Sequence, residues 1–509
     1  MEHNLTSRIT RNSLFNLTRT ALSIPVFLFT TTYILRTIGK EEFGVWALVG
    51  VISSYAQLSD FGITESLIKF IAEYNAKNDS RKLNELLNTS FTLYFVLGIA
   101  FCLVFLSGMR IIVDDILNIP TNHRLVAIQV YSLSTVLFFV NMIGGVYGSM
   151  LIGAQRMDYS NAILSVSTLV NAIGTVVFLK MGYGLPGLVY NNGITTLFII
   201  LGNYLAARRL FPEMRFMPFS FFDKGTARMI FSFSWKVQVT SISQLMIFQI
   251  DRVLLSHYLG LTAVSIYEIA NRTVTQLRQL VLSIFIPMIP AASFLDATQG
   301  RDLVGGLYRR SFKYMASVSV PFSVLVIALA HPFIRTWVGP GYDSSAYTVQ
   351  ILAAAYLVNL LTGPGAFIMS GINKPHISMR ASVLAAAVNL VGCFLLIRWI
   401  GYYGIILSVV LSITLSGLYF LVTVQVHIPG LGWRIHRELL RKPFFVAVPF
   451  SFSLCILDMY LHFLGYTSLV ALSLIFLAIY GGILLWGKYF DDFDLRVFNS
   501  LLPFGGKGL

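Results

Sequence analysis

The sequence predicts an all-α membrane protein of about fourteen transmembrane helices, arranged as two six-helix lobes related by an internal repeat plus two C-terminal helices. Three observations predict it. The 509 residues are 56% hydrophobic and 12% charged, with mean hydropathy +0.73, whereas an average soluble domain carries about 25% charged residues. The apolar residues gather in continuous runs of about 20 or more, unlike the short alternating strands of a membrane barrel. The chain also matches itself when shifted by about 218 to 221 residues, the mark of an internal duplication.

The apolar runs place spans at 13–38, 43–68, 85–109, 125–152, 159–180 and 184–207, then at 229–258, 262–290, 312–334, 345–371, 377–398 and 402–425, and finally at 443–464 and 467–487. Residues 1–210 form the N-lobe, 211–228 a cytoplasmic linker, 229–425 the C-lobe, and 426–509 helices 13 and 14 with a cytoplasmic tail. With the N-terminus in the cytoplasm, 25 of the 37 Lys and Arg fall in cytoplasmic segments and 7 outside. The positive-inside bias therefore predicts two cytoplasmic termini and accounts for the net charge of +14 without nucleic acid. The polar start MEHNLTSRITRN runs into an apolar segment without a small-residue cleavage site, so no removable signal peptide is expected.

The repeat is legible residue by residue. Gly39, Phe43, Val45, Trp46 and Leu48 align with Gly260, Val264, Ile266, Tyr267 and Ile269; Gly153, Gln155, Arg156, Asn171 and Gly174 align with Gly371, Asn373, Lys374, Asn389 and Gly392. Each half holds an even number of spans, so both enter from the same side and are related by an axis along the membrane normal. A substrate path between the halves is the expected consequence.

Nine ionisable residues fall within spans: Arg19, Asp60, Glu65, Lys236, Asp251, Arg252, Glu268, Arg272 and Arg278. Facing lipid, they would cost roughly 20 to 30 kcal/mol together, at about 2.5 to 3.5 kcal/mol each. They are expected to face one another or water instead. Helical spacing agrees, because Asn12, Asn16, Arg19 and Ser23, then Ser53, Gln57, Asp60 and Thr64, then Glu268, Arg272, Thr275 and Gln279 recur at steps of three and four. These stripes outline one hydrated lumen. Glu268 and Arg272, one turn apart, form either a self-neutralising pair or half of a binding site. Asp251 and Arg252 read as architectural, while Arg19 and Lys236 lie near enough to a helix end to snorkel. Asp60 and Glu65 either pair with Arg19 or carry a coupling proton.

The stretches SLFNLTRTALSIPVFLFTTTYILRTIGKEEFGVWALVGVISSYAQLSDFGITESLIKFIAEY and FSFSWKVQVTSISQLMIFQIDRVLLSHYLGLTAVSIYEIANR resemble the Wzx-type flippases of polysaccharide and lipid-linked oligosaccharide units. These belong to the multidrug/oligosaccharidyl-lipid/polysaccharide exporter superfamily. The resemblance is diffuse and covers most of residues 10–425. It implies a two-lobed bundle in the bacterial inner membrane, a central cationic cavity, alternating access, and transport of undecaprenyl-diphosphate-linked sugars. It also implies that Arg19 and Arg272 contact substrate, with Arg278 as a further candidate; Lys236, by its place in a span, is another candidate for the cationic lining. Polysaccharide polymerases, glycosyltransferases and membrane lipids are the expected partners. Arginine suits a diphosphate because its planar fork donates to two oxygens and stays charged.

Other functions find less support. A cation-coupled multidrug exporter of the same superfamily would favour carboxylates and aromatics over arginines, and a lipid II flippase differs in cargo. A membrane glycosyltransferase or ligase needs an external catalytic loop, but the outside connections here are short. The chain contains no G-x-x-x-x-G-K-[ST] for a nucleotide, its eight histidines are scattered, and Cys102, Cys393 and Cys455 have no metal-ligand spacing. Neither catalytic residues nor a cofactor are expected.

Overall fold

A computed structural model of the chain describes residues 2–56, 60–217, 222–285, 288, 292, 301–372, 374–428, 431–460, 465–492 and 494. Within these, the side chains of 2–23, 55–56, 76, 233, 235–248, 301–303, 451–452 and 454–460 lie outside the description. The described residues form helices and the short connections between them. In chain order the long helices are α1 (Glu2–Ala56), α2 (Ile63–Ala76), α3 (Ser80–Ser107), α4 (Thr121–Gly153), α5 (Met157–Lys180), α6 (Gly184–Leu210) and α7 (Lys224–Leu259). They continue with α8 (Leu261–Ser283), α9 (Arg301–Val338), α10 (Asp343–Gly371), α11 (Pro375–Ile400), α12 (Tyr402–His427), α13 (Trp433–Tyr460) and α14 (Tyr466–Trp486). Except for the second and the eighth, each predicted span lies along one of them. Among the described residues, nine helices are long and apolar enough to cross a membrane, and the chain is a multi-pass membrane protein.

Two predicted spans are not continuous. The first helix bends at Gly39, with φ 81° and ψ 176°, which separates span 1 from span 2 as expected. Span 2 is interrupted just before Ile63, at the left-handed residues Phe61 and Gly62. The reason is packing against α7. The Ser234 hydroxyl donates to the Gly62 carbonyl at 2.9 Å and lies 2.7 Å from the Ser66 hydroxyl, so that stretch bonds to a neighbouring helix as well as to the Ser66 N–H of its own, at 3.3 Å. Span 8 likewise leaves the helix after Ser283, at a turn over Ile284 and Phe285.

The chain divides into two compact units. The first comprises residues 1–272 and 382–412, the second 273–381 and 413–509. In the first, Ile63, Leu67 and Ile71 of α2 pack against Leu86 and Tyr94 of α3 and Met150 of α4, all buried. In the second, Val320, Val324 and Leu329 of α9 pack against Ala447 of α13 and Phe476 and Tyr480 of α14, so the last two helices share a core with α9. Beyond α14 the buried carboxylate of Asp494 pins the chain back to α9, accepting from Lys313 at 2.5 Å, from Arg310 at 3.2 Å and from the Tyr314 hydroxyl. Burial alone would raise the Asp494 pKa, but Lys313, the Tyr314 hydroxyl and the Asp491 N–H hold it below the usual carboxylate range.

Candidate functional site

The α7–α8 hairpin turns at Gly260, whose φ of 80° and ψ of 179° no ordinary residue adopts readily. Residues equally spaced before and after that turn lie at one depth. Arg252 and Glu268 each stand eight positions from Gly260, about 12 Å along their helices. Glu268 is 3% exposed and lies between two arginines. Its Oε2 accepts from Arg252 Nε at 2.5 Å and its Oε1 from Arg272 Nε, one turn further along α8. Arg252 also donates to Gln249 Oε1 at 2.7 Å, and Gln249 donates to the Ser54 hydroxyl at 3.0 Å. The cluster therefore carries a net positive charge. Arg272, with a side chain 32% exposed against 10% for Arg252, is its accessible member.

Asp251 faces elsewhere. Neighbours on a helix point about 100° apart, so the side chains of Asp251 and Arg252 diverge. The buried Asp251 carboxylate accepts from the Tyr267 hydroxyl at 2.7 Å, from Asn389 Nδ2 at 3.0 Å and from Cys393 Sγ at 3.5 Å. Cys393 also lies 3.4 Å from Asn389 Oδ1. Each of these donors is neutral. A carboxylate so placed can exchange a proton or meet a cation, whereas Glu268 has both oxygens committed to arginines. Sequence reasoning missed Tyr267, Asn389 and Cys393 as companions of Asp251. The signal available was the repeat, which had already aligned Tyr267 and Asn389 with residues of the first half.

The remaining candidates are spread over both units. Asp60 sits in the break before α2, accepting from the Tyr94 hydroxyl at 2.5 Å, the Thr64 hydroxyl at 3.0 Å and the Thr64 N–H at 3.4 Å. The carboxylate thus serves one of the open backbone donors at the helix start. Glu65 is exposed and makes no ion pair with a described residue. Arg278, in the second unit, donates to Asn359 Oδ1 at 2.6 Å and sits 5.7 Å from the Tyr356 ring centroid. Arg19 and Lys236 lie on helices, with side chains outside the described residues.

Comparison with known proteins places the chain. A family described as polysaccharide biosynthesis protein matches residues 9–295, and the MatE family matches 237–395. The membrane protein EpsK of Bacillus subtilis, itself uncharacterized, is 22% identical over 88% of this chain and 89% of its own length. A putative O-antigen transporter of Shigella flexneri is 21% identical over 69% of this chain and 82% of its own. The solved structure of the lipid II flippase MurJ, in an inward closed conformation, superposes over 92% of this chain and 98% of that one. Its TM-score is 0.72 at 13% identity, which shows a shared fold. The first family match spans more than half of the sequence, and the chain belongs to the polysaccharide biosynthesis protein family, within the multidrug/oligosaccharidyl-lipid/polysaccharide exporter superfamily.

Proposed function

We propose that this protein is an alternating-access flippase that moves undecaprenyl-diphosphate-linked oligosaccharide units, of capsule, O-antigen or another surface polysaccharide, from the cytoplasmic to the periplasmic leaflet of a bacterial inner membrane. Both termini lie in the cytoplasm, and residues 10–210 and 228–425 act as the rocking halves. The observation that carries the reading is the Arg252–Glu268–Arg272 cluster. A net cation held inside a membrane protein by a buried carboxylate suits a ligand bearing the opposite charge and fits a diphosphate better than an organic cation. Arg272 contacts the diphosphate, Arg19 meets it from the other half, and Arg278 and Lys236 extend the cationic lining. Asp251 is the coupling carboxylate, and Asp60 and Glu65 serve the first half. The reading needs neither catalytic residues nor a cofactor.

A glycan on a polyprenyl diphosphate has a head that hydrocarbon rejects and a tail that water rejects. A wet, cationic lumen open sideways to lipid accommodates both ends. The MatE match over 237–395 favours a second reading, cation-coupled export of a drug-like molecule, and lipid II is the alternative cargo.

The test is glycan export and lipid-linked sugar accumulation in cells carrying Arg272→Ala, Arg272→Lys or Arg19→Ala at matched membrane levels. A charge-assisted bond typically contributes about 1.5 to 3 kcal/mol, so either alanine variant should lower export at least tenfold. The lysine variant should rescue in part, because it keeps charge and loses the fork. Folding should survive Arg272→Ala, since Glu268 keeps Arg252. Normal export by Arg272→Ala would overturn the assignment.

A further inference from the structure

The start of α13 reads WRIHRELLRKPFF. Trp433, Arg437 and Arg441 recur there at steps of four, and Leu440 and Phe444 run beside them on the same side of the helix. This stripe opens on a groove of about 730 Å3 whose far wall is Phe312 of α9, Leu361 of α10 and Leu421 of α12, all within the second unit. The groove floor presents little polarity. His436, its one buried polar side chain, is already engaged through Nε2 with the Tyr308 hydroxyl at 2.9 Å and through Nδ1 with the Gly432 carbonyl at 3.1 Å.

The rim is different. Arg437 and Arg441 are exposed and make no ion pair with a described residue, whereas their neighbours are engaged. Arg434 binds Glu438 at 2.9 Å, and Lys442 donates to the Gly487 carbonyl at 2.8 Å. Trp433 stands 47% exposed beside them, and Phe445, with the Arg441 guanidinium 6.0 Å from its ring, is 73% exposed. Indole and arginine next to exposed phenyl rings mark the level at which hydrocarbon gives way to headgroups.

We propose that this groove binds one anionic phospholipid of the bilayer, its phosphate between Arg437 and Arg441 and an acyl chain along Phe312, Leu361, Leu421, Leu440 and Phe444. The charge complementarity selects the ligand. A zwitterionic lipid brings no net charge to two adjacent arginines, and free phosphate has no use for an apolar floor. Basic recesses between membrane helices bind anionic headgroups for the same reason. The site uses none of the residues assigned to cargo or coupling, so its failure would leave the flippase reading intact.

The full-length chain, purified in a neutral detergent, is titrated with phosphatidylglycerol, phosphatidylcholine, undecaprenyl phosphate or inorganic phosphate while its melting temperature is followed. Phosphatidylglycerol should raise it, and phosphatidylcholine and inorganic phosphate should leave it unchanged. The double variant Arg437→Gln, Arg441→Gln should move the phosphatidylglycerol midpoint roughly 25-fold toward weaker binding. Its melting without lipid should not change, because both side chains are exposed. A second measurement needs neither arginine variant. Brominated phosphatidylglycerol should quench tryptophan emission of the parent protein, and Trp433→Phe should remove that increment. Equal stabilisation by phosphatidylcholine, a double variant that binds as tightly as the parent, or quenching indifferent to Trp433→Phe would each overturn the proposal. So would saturation by undecaprenyl phosphate at lower concentration than phosphatidylglycerol, which would give the groove to the cargo's tail.

Discussion

The hairpins at Gly39 and Gly260 share a backbone and differ in charge. Their turn glycines have φ/ψ of 81°/176° and 80°/179°, and 221 residues separate them. At the same offset, Thr30, Thr31 and Ala47 of the first half correspond to Asp251, Arg252 and Glu268 of the second. Thr30 turns its hydroxyl onto its own helix, donating to the Val26 carbonyl at 2.8 Å, and Thr31 and Ala47 are buried. The crossings that support the hairpins repeat the contrast. In α5 and α6, Asn191 donates to the Asn171 carbonyl at 2.8 Å and to the Thr175 hydroxyl at 3.0 Å, a closed network of neutral groups. In α11 and α12, Asn389 is directed at Asp251 instead. Polar glue between membrane helices is common and neutral. Charge is costly there and needs a reason. The repeat thus supplies the scaffold, and the second hairpin carries an ionic addition to it.

Removing half of that addition should have the largest effect. Glu268→Ala gives the second half the residue of the first but leaves Arg252 buried without a counter-charge, which costs about 3 to 5 kcal/mol. Membrane levels and melting temperature should both fall. The double variant Arg252→Thr, Glu268→Ala removes both charges and should recover most of the stability while transport stays low. If the double variant were as unstable as the single one, the two hairpins would not be interchangeable scaffolds.

A sharper test separates scaffold from coupling. Asp251→Asn is nearly isosteric, so stability should change by less than about 1.5 kcal/mol, the net worth of a typical hydrogen bond. Transport should nonetheless drop at least tenfold. Thr30→Val at the equivalent place should change transport less than twofold. Equal effects of the two variants on initial transport rates would remove the asymmetry.

The smallest effect concerns the crossings. A Cβ at Gly174 would lie 1.8 Å from Asn191 Oδ1, so Gly174→Ala must displace an amide that holds two bonds, at about 1 to 3 kcal/mol. At Gly392 the nearest atom is the Ser408 hydroxyl at 2.9 Å, a small group that can turn aside. Gly392→Ala should therefore lower the melting temperature less than Gly174→Ala.

Much of this was legible beforehand. Hydropathy foresaw the nine helices that, among the described residues, are long and apolar enough to cross a membrane, because a lipid-crossing helix must be apolar over a length set by the bilayer. The near-constant offset pointed to both hairpin glycines. The depth of Arg252, Glu268 and Arg272 was also readable, since it depends only on counting residues from the turn. Asp60 was read less well. Its spacing from Gln57 and Thr64 suits a continuous helix, yet the chain breaks there because Gly62 and Ser66 are bonded to Ser234, 168 residues beyond Ser66.

The all-helical membrane class, the course of the long helices and the shared hairpin frame follow from residue order alone, each a property of one segment at a time. Helix packing sets who partners whom. Glu268 is committed to Arg252 and Arg272, and Asp251 to Tyr267, Asn389 and Cys393, because adjacent side chains on a helix diverge and each meets whatever helix packs on its own side. Hydropathy and spacing describe a helix from within, whereas a buried charge is satisfied by atoms that other helices bring to it.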